Sequence, residues 1–204
     1  MQETLIDFIR HGEPVGGRRY RGCGADDPLG EKGWQQMWQA IGESSLWSKI
    51  VTSPLQRCRA FAQALAERNG VPLTVDARFQ EVGMGVWEGR TPEEVRSEDS
   101  MAYARYYRDA VGGRPEGSEE LKDLLERVSN GYEQLIADYP GQHLLIVAHA
   151  GVMRAMLGHV LKAEPNAWYR AQVDYAGSSR FGHDTHGSYL IFHNRVRIDG
   201  VRVD

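Results

Sequence analysis

An arginine and a histidine, Arg10 and His11, stand side by side directly after a run of apolar residues. A second arginine, Arg57, follows another short apolar stretch, and a second histidine, His149, follows a third. Guanidinium groups match phosphate oxygens with paired hydrogen bonds. An imidazole can serve as a nucleophile or as a partner of adjustable charge. The four residues together indicate chemistry on a phosphate group.

The segments that must position these residues are predicted from apolar patterning. Residues 5–9 and 144–148 are nearly continuous apolar runs, which is typical of strands buried on both faces. Residues around 50–51 predict another short strand. Residues 188–203 alternate in strand fashion about Asp199–Gly200, which predicts an antiparallel hairpin or a paired edge strand. Helices are predicted at 34–41, from an N-cap at Ser53 to Asn69–Gly70, over most of 91–139 with a cap at Ser118 and a stop at Pro140–Gly141, and at 152–161.

Strands that alternate with helices along one chain predict an α/β fold. We expect a three-layer sandwich with a mostly parallel sheet and helices on both faces. Ligands of such sheets bind beyond the carboxyl ends of the strands, where helix N-termini also favour anions. A single histidine at a strand end is usually structural, but three segments that converge on one edge of a sheet are much less expected by chance.

Composition limits the class of protein. The 204 residues fit a single domain, and we expect residues 1–204 to form one. A net charge of −4 argues against a nucleic-acid partner. The first residues lack the pattern of a signal peptide, and no apolar run reaches the roughly 20 residues of a membrane helix. The two cysteines form no CxxC pair. We therefore expect a cytoplasmic monomer or homodimer without a membrane partner.

Six motifs follow one another along nearly the whole chain. They are FIRHGEP, DDPLGEKGWQQ, VTSPLQRCRAFAQAL, RFQEVGMGVWEGRTPEEV, RPEGSEELKDLLERV and LLIVAHAGVMRAML. In these motifs and their order the chain resembles the histidine phosphatase superfamily. It is most similar to the branch of small phosphoglycerate-mutase-like phosphatases that includes the α-ribazole phosphatases. Motifs in the right order are far more specific than the Arg-His-Gly triplet alone.

The resemblance implies a role for each candidate residue. His11 would carry the phosphoryl group as a covalent phosphohistidine, and Glu81 would donate a proton to the leaving group. The implied phosphate pocket consists of Arg10, Arg57, His149 and Ala150. Glu88, in the sequence WEG, is a rival to Glu81 as the proton donor. No metal or other cofactor is expected, because arginines would neutralise the phosphoryl group.

The chain departs from the family's pattern at three positions. Gly17 stands where asparagine is frequent, Phe61 where threonine is usual, and Ala150 where glycine follows the second histidine. The missing asparagine would remove one phosphate contact. Either the loop closes differently, or a nearby arginine substitutes as a substrate-binding residue: Arg18, Arg19 or Arg21.

Two further clusters are weaker candidates. Tyr107 belongs to a segment that roofs the active site in relatives, so it is a candidate for substrate binding, although a packed aromatic helix face explains it equally well. His183, Asp184 and His186 lie in a segment that we expect to be a glycine-flanked loop without further ligands, so we predict no metal site there.

The sequence supports three functional hypotheses. The first is a metal-independent phosphomonoesterase that acts on a small phosphorylated metabolite. The second is a cofactor-dependent phosphoglycerate mutase, whose family members are longer and have inserted loops. The third is an inactive phospho-ligand-binding regulatory module on the same fold. The third is disfavoured because a module that only binds its ligand has no need of a proton donor such as Glu81.

Overall fold

The computed structural model describes residues 2–198 and has a six-stranded sheet at its centre. The strands are β1 (Thr4–Arg10), β2 (Lys49–Thr52), β3 (Leu73–Val75), β4 (His143–Ala148), β5 (Ser178–Asp184) and β6 (Gly187–Arg195). They stand in the order β3-β2-β4-β1-β5-β6. The first four of that order run parallel, and β5 runs antiparallel to both of its neighbours, β1 and β6. The predicted α/β fold with a mostly parallel sheet is confirmed.

Helices cover both faces of the sheet. They are α1 (Glu31–Ile41), α2 (Gln56–Asn69), α3 (Pro92–Glu98), α4 (Ser100–Arg108), α5 (Leu121–Asp138), α6 (Ala150–Leu161) and α7 (Pro165–Trp168). Successive strand residues point to opposite faces. Accordingly Ile6 and Phe8 of β1 pack in one core with α5 and α6, whereas Ile9 packs in a second core with α1 and α2. Among residues 2–198, no helix combines the length and apolar character needed to cross a bilayer.

The start of α2 differs from its prediction, while its end agrees. Ser53 is not the N-cap: Leu55 holds that position and makes no side-chain cap. The Ser53 hydroxyl instead accepts a hydrogen bond from the Leu55 N–H and lies 2.7 Å from a ring nitrogen of His149. At the other end Gly70 adopts φ 64°, the left-handed conformation that closes many helices.

The cap predicted for α5 is also wrong. Glu120 is the N-cap of this helix and makes no side-chain cap, while the hydroxyl of Ser118 donates to the carbonyl of Pro115. Serine favours turns as well as helix caps, because its short side chain reaches nearby backbone groups in either setting. Ser118 therefore closes a turn at residues 115–118, and two residues separate it from Leu121, the first residue of α5.

The C-terminal part of the described chain forms a paired edge strand, β6, as one of the two predicted arrangements has it. β6 pairs with β5 through a turn at residues 185–186, so His183 and Asp184 belong to a strand rather than to the expected loop. Asp199–Gly200, the predicted turn, lies outside the described residues. Within residues 2–198 no group of three or more His, Cys, Asp or Glu is arranged to hold a metal ion.

A buried carboxylate, Asp7, interrupts the apolar run of β1. It accepts hydrogen bonds from the Trp47 indole at 2.7 Å, from His143 at 2.8 Å, and from two guanidinium nitrogens of Arg180 at 2.7 and 3.0 Å. Burial alone would raise the pKa of Asp7, but the hydrogen bonds from His143 and Arg180 outweigh it and hold the pKa below its usual value. Asp7 is therefore a buried anion with a full set of donors.

Removing this carboxylate should destabilise the fold strongly. Asp7→Ala leaves the buried Arg180 without its counter-charge, and breaking a buried pair in this way costs about 3–5 kcal/mol. Glu133→Ala breaks the more exposed contact with His159 and serves as the control, with an expected loss of about 1 kcal/mol or less. Urea unfolding measures both. Equal losses in the two variants would show that the Asp7 network adds no more than a surface pair.

Candidate active site

The two histidines face each other beyond the ends of the central strands β1 and β4. The parallel register pairs Arg10 with Ala148, so His11 and His149, the residues that follow them, come out at the same level. Their ring centroids are 5.2 Å apart with an interplanar angle of 65°. His149 is fully buried, and His11 keeps 5% of its surface exposed. The structure thus brings together the two histidines that the sequence singled out.

The surroundings of His11 set both its charge and its tautomer. Burial lowers the pKa of His11 well below its usual value, and the guanidinium groups of Arg10 and Arg57 lower it further. Nδ1 lies 2.7 Å from the carbonyl oxygen of Gly12. A carbonyl can only accept, so Nδ1 carries the hydrogen and Nε2 keeps its lone pair. His11 is therefore neutral, with the nitrogen that a nucleophile needs left free.

His149 is held by two side chains from the β2–α2 segment. Its Nε2 lies 2.7 Å from the hydroxyl of Ser53 and 3.5 Å from the thiol of Cys58. Burial lowers the pKa of His149 well below its usual value, and the neighbouring Arg57 and His11 add to the effect. Ser53 is a contact that sequence reasoning missed, because its position before a helix had indicated a cap.

Two arginines, one fully and one partly buried, lie beside the histidines without a counter-ion among the described residues. Arg57 is fully buried and donates to the carbonyls of Gly22 and Ala25, while Arg10 donates to the carbonyl of Val173. The Nε atoms of both arginines are buried and have no hydrogen-bond partner among the described residues. No carboxylate in this part of the chain lies within 4.0 Å of either guanidinium. Such unsatisfied cationic donors are suited to an anionic ligand.

The two rival carboxylates occupy different environments. Glu81 lines the pocket, and its Oε1 accepts hydrogen bonds from the N–H groups of Val82 and Gly151, each at 3.0 Å. A Cβ on Gly151 would lie 2.4 Å from that oxygen, so only glycine leaves the carboxylate in place. Oε2 of Glu81 accepts no hydrogen bond from any described residue and is free to meet a ligand.

Glu88 has a structural role. Its two oxygens accept hydrogen bonds from the backbone N–H groups of Cys23, Gly24 and Met84, at 2.8–3.1 Å. These contacts tie the loop after β1 to the segment that follows Glu81. Glu88 does not line the pocket. The geometry therefore separates the two carboxylates, and only Glu81 is placed to reach a ligand.

A pocket of about 450 Å³ lies beside this cluster: Arg10 and Ala150, the chain neighbours of the two histidines, line it, whereas His11, His149 and Arg57 are not among its described lining residues. Arginines and tyrosines dominate its wall: Arg10, Arg18, Arg19, Arg21, Arg154, Tyr20, Tyr106, Tyr107, Tyr169 and Tyr175. Ala150, the first residue of α6, also lines it, and Glu81 is the acidic residue among the described lining residues. The wall therefore carries a strong excess of positive charge, which favours an anionic ligand.

The four residues predicted to bind substrate all lie in this wall, but they differ in their contacts. Arg21 is buried and paired with Asp27 at 2.8 Å, so its charge is already compensated. Arg18 and Arg19 are exposed, and Arg19 donates to a backbone carbonyl at 2.8 Å. The hydroxyl of Tyr107 lies 2.8 Å from that of another tyrosine across the pocket mouth. Arg18 is therefore the freest of these cations.

Sequence reasoning missed other residues of the pocket wall, among them Arg154 and Tyr175. Arg154 stands one helical turn after Ala150 on α6 and so shares its face, which is a signal that the helical period could have revealed. Tyr175 gave no such signal. Its ring lies under the guanidinium of Arg10 at 4.0 Å and 5.9 Å from the ring of His11.

Two of the departures from the family's pattern have a local explanation. Phe61 is fully buried in the core and packs on Trp38 with a centroid distance of 4.7 Å. It therefore contributes to the core and not to the pocket wall. Gly17 has φ 69°, in the left-handed region that glycine and asparagine adopt more readily than other residues. Glycine at this position keeps the backbone conformation and drops the side chain.

Comparison with known proteins gives a family match and several relatives. The family model of the histidine phosphatase superfamily (branch 1) matches residues 6–195. The bifunctional protein Rv2228c of Mycobacterium tuberculosis is 31% identical over 180 residues, which are 86% of this chain and 49% of that protein. The chain thus spans about half the length of this mycobacterial relative. The 2,3-bisphosphoglycerate-dependent phosphoglycerate mutase 2 of Gloeobacter violaceus is 27% identical over 195 residues, 91% of this chain and 89% of that one.

A solved structure shares the fold over nearly the whole chain. The mycobacterial glucosyl-3-phosphoglycerate phosphatase Rv2419c, determined in complex with VO3, superposes with a TM-score of 0.82 at 27% identity. The match covers 93% of this chain and 98% of that one. The resemblance inferred from the six sequence motifs is confirmed by this match and by the family model.

Proposed function

Because this chain belongs to the histidine phosphatase superfamily (branch 1), we propose that it is a metal-independent phosphomonoesterase that hydrolyses a small phosphorylated metabolite. One observation carries the proposal. The partly buried Arg10 and the fully buried Arg57 lie beside the neutral His11, with buried, unpartnered Nε atoms and no counter-ion among the described residues. A phosphate group would supply both the missing acceptors and the missing negative charge. As part of the same proposal, residues 1–204 act as one domain.

In the first step His11 attacks the substrate's phosphorus through Nε2. The N–P bond forms as the bond from phosphorus to the leaving oxygen breaks, and Glu81 gives that oxygen a proton from Oε2. Arg10 and Arg57 stabilise the charge on the three equatorial oxygens, which is the main demand of phosphoryl transfer. The backbone N–H of Ala150, at the start of α6, adds to this stabilisation.

In the second step water attacks the phosphohistidine. Glu81, now a carboxylate, takes a proton from the water as the N–P bond breaks, and inorganic phosphate leaves. His11 returns to its neutral form, which burial and the two arginines favour. The ring of His149, which contacts the hydroxyl of Ser53, has its centroid 5.2 Å from that of His11. A phosphoryl group on His11 would therefore lie next to His149.

The proposal predicts phosphate release without added metal. We expect the purified protein to hydrolyse p-nitrophenyl phosphate and at least one member of a panel of phosphomonoesters, at rates that EDTA leaves unchanged. Orthovanadate, which mimics the trigonal phosphoryl group, should inhibit competitively. Activity that disappears with EDTA and returns with a divalent ion would contradict metal independence. Binding of vanadate without turnover of any ester would favour the regulatory module.

The mutase is the second candidate, because a relative of almost equal length carries that name. The greater length expected of mutases does not hold for this relative, so length does not separate the two activities. The same assay does so when 3-phosphoglycerate is supplied with 2,3-bisphosphoglycerate. We expect release of inorganic phosphate, if these compounds react at all. Rapid interconversion of phosphoglycerates without loss of phosphate would establish the mutase instead.

A further inference from the structure

The segment that carries Glu81 is held from outside the pocket by an arginine of α5. Residues 80–84 lie outside the helices and strands, apart from an isolated β-bridge between Met84 and Ser118, so side-chain contacts contribute much of what holds them. Arg127 donates from Nη1 to the carbonyls of Arg78 and Gln80, both at 2.7 Å, and from Nη2 to the carbonyl of Glu81 itself at 3.3 Å. One guanidinium therefore binds three carbonyls on the N-terminal side of the segment.

The C-terminal side of the same segment is held by Glu119. Its Oε2 accepts a hydrogen bond from the N–H of Gly83 at 3.1 Å, and its own N–H donates to the carbonyl of Gly83, also at 3.1 Å. Glu119 and Arg127 form a two-point ion pair, with Nε–Oε1 at 2.6 Å and Nη2–Oε2 at 2.8 Å. Both side chains are about three-quarters buried, at 23% and 22% exposed. The pair thus grips the backbone on both sides of Glu81.

Neither member of the pair belongs to the pocket wall. The carboxylate of Glu81 has its own anchors at Val82 and Gly151, but these bind only Oε1 and do not hold the main chain between 80 and 83. A catalytic acid must stand within hydrogen-bond reach of the leaving oxygen. A displacement of about 1 Å can cost 10²-fold in rate.

We propose that Arg127 and Glu119 are positioning residues for Glu81, which hold its backbone so that Oε2 faces the leaving oxygen. The inference rests on the proposed phosphatase function. The pair contacts neither the phosphoryl group nor the leaving group. Loss of the pair should therefore slow the reactions that need a proton donor and leave the others nearly unchanged. A general loss of folding would instead slow both kinds of reaction equally.

The test compares two substrates in single-turnover experiments. p-Nitrophenyl phosphate has a leaving group that departs without a proton, whereas an alkyl phosphate that the wild type hydrolyses needs one. Arg127→Met keeps an apolar stem but removes every donor. We expect its rate of phosphoenzyme formation to fall about tenfold or more with the alkyl phosphate, and by less than threefold with p-nitrophenyl phosphate. Glu119→Gln should also lower the ratio of the alkyl phosphate rate to the p-nitrophenyl phosphate rate, because it removes the ion pair with Arg127.

Arg78→Met is the matched control. The substitution breaks the neighbouring ion pair between Arg78 and Asp76, which is 2.7 Å long. It does not remove the backbone carbonyl of residue 78, so Arg127 can still bind it. The ratio of the two rates should stay at the wild-type value. In a Glu81→Gln background, Arg127→Met should leave the ratio unchanged, since the acid is already absent.

The outcomes distinguish a failure of the proposed phosphatase function from a failure of the positioning role of Arg127 and Glu119. If the wild type releases phosphate from neither substrate, the proposed function fails and the inference fails with it. If the wild type is active and Arg127→Met slows both substrates equally, or Arg78→Met shifts the ratio as far, the inference alone is overturned. Should Arg127→Met not fold, Arg127→Lys decides: it keeps the charge but loses the fork that binds three carbonyls, so the same shift in ratio is expected.

Discussion

A His11→Ala variant is expected to fold normally and to lose turnover by about 10³-fold or more, as removal of a covalent nucleophile does. The fold should survive, because the only hydrogen bond that the His11 side chain makes to a described residue goes to the carbonyl of its neighbour, Gly12. Turnover should not survive, because Arg10 and Arg57 can bind a phosphate but cannot accept the phosphoryl group. Steady-state release of phosphate and a thermal melt measure the two properties.

Rapid quench of the wild type should show which type of residue carries the phosphoryl group. A phosphohistidine is acid-labile and base-stable, so label from a radioactive substrate should be lost in acid and retained in base. His159→Ala is the control, since that histidine contacts Glu133 away from the pocket and its loss should leave turnover unchanged. Label on Ser53 or Cys58, the nucleophiles beside His149, or substantial activity in His11→Ala, would contradict the mechanism.

Replacing Glu81 by glutamine should make the rate depend strongly on the leaving group. A general acid contributes about 10²–10⁴-fold when the leaving oxygen needs a proton. Glutamine keeps the shape of the side chain and its acceptor for the N–H of Gly151, but it cannot deliver the proton. Phosphoenzyme formation should therefore fall by that factor with an alkyl phosphate and much less with p-nitrophenyl phosphate. Single-turnover kinetics is required, because in the proposed mechanism the same carboxylate also assists water in the second step.

Glu88→Gln is the control for Glu81. Its carboxylate accepts three backbone N–H groups, and an amide has a single oxygen to replace the two, so the loop at Cys23 and Gly24 should loosen. Any loss of rate should therefore be similar for both substrates. If the two variants behave alike, or if Glu88→Gln alone shows the leaving-group effect, the proton donor is assigned to the wrong carboxylate.

Local sequence patterns predicted most of the fold. The apolar runs predicted as strands form β1 and β4, which are buried on both faces. A strand buried on both faces has a nearly continuous apolar sequence, so it can be recognised without the structure. β3 escaped prediction because it has only three residues, and its Thr74 and Val75 are exposed. Ser53 and Ser118 were read as caps because a serine hydroxyl serves helix starts and turns alike. Ser118 binds a carbonyl within its own turn, whereas the contact of Ser53 with His149 depended on a distant segment.

The sequence by itself determined the class of chemistry. Arginine and histidine directly after buried strands can only come together at the carboxyl edge of a parallel sheet, because strand direction and register place them there. Which carboxylate could act on a ligand was decided by the tertiary structure. Glu81 meets the N–H of Gly151, and Glu88 meets that of Gly24, across separations of 70 and 64 residues. Periodicity encodes contacts within a few residues, whereas a pocket wall is made by segments that only the packed sheet and helices bring together.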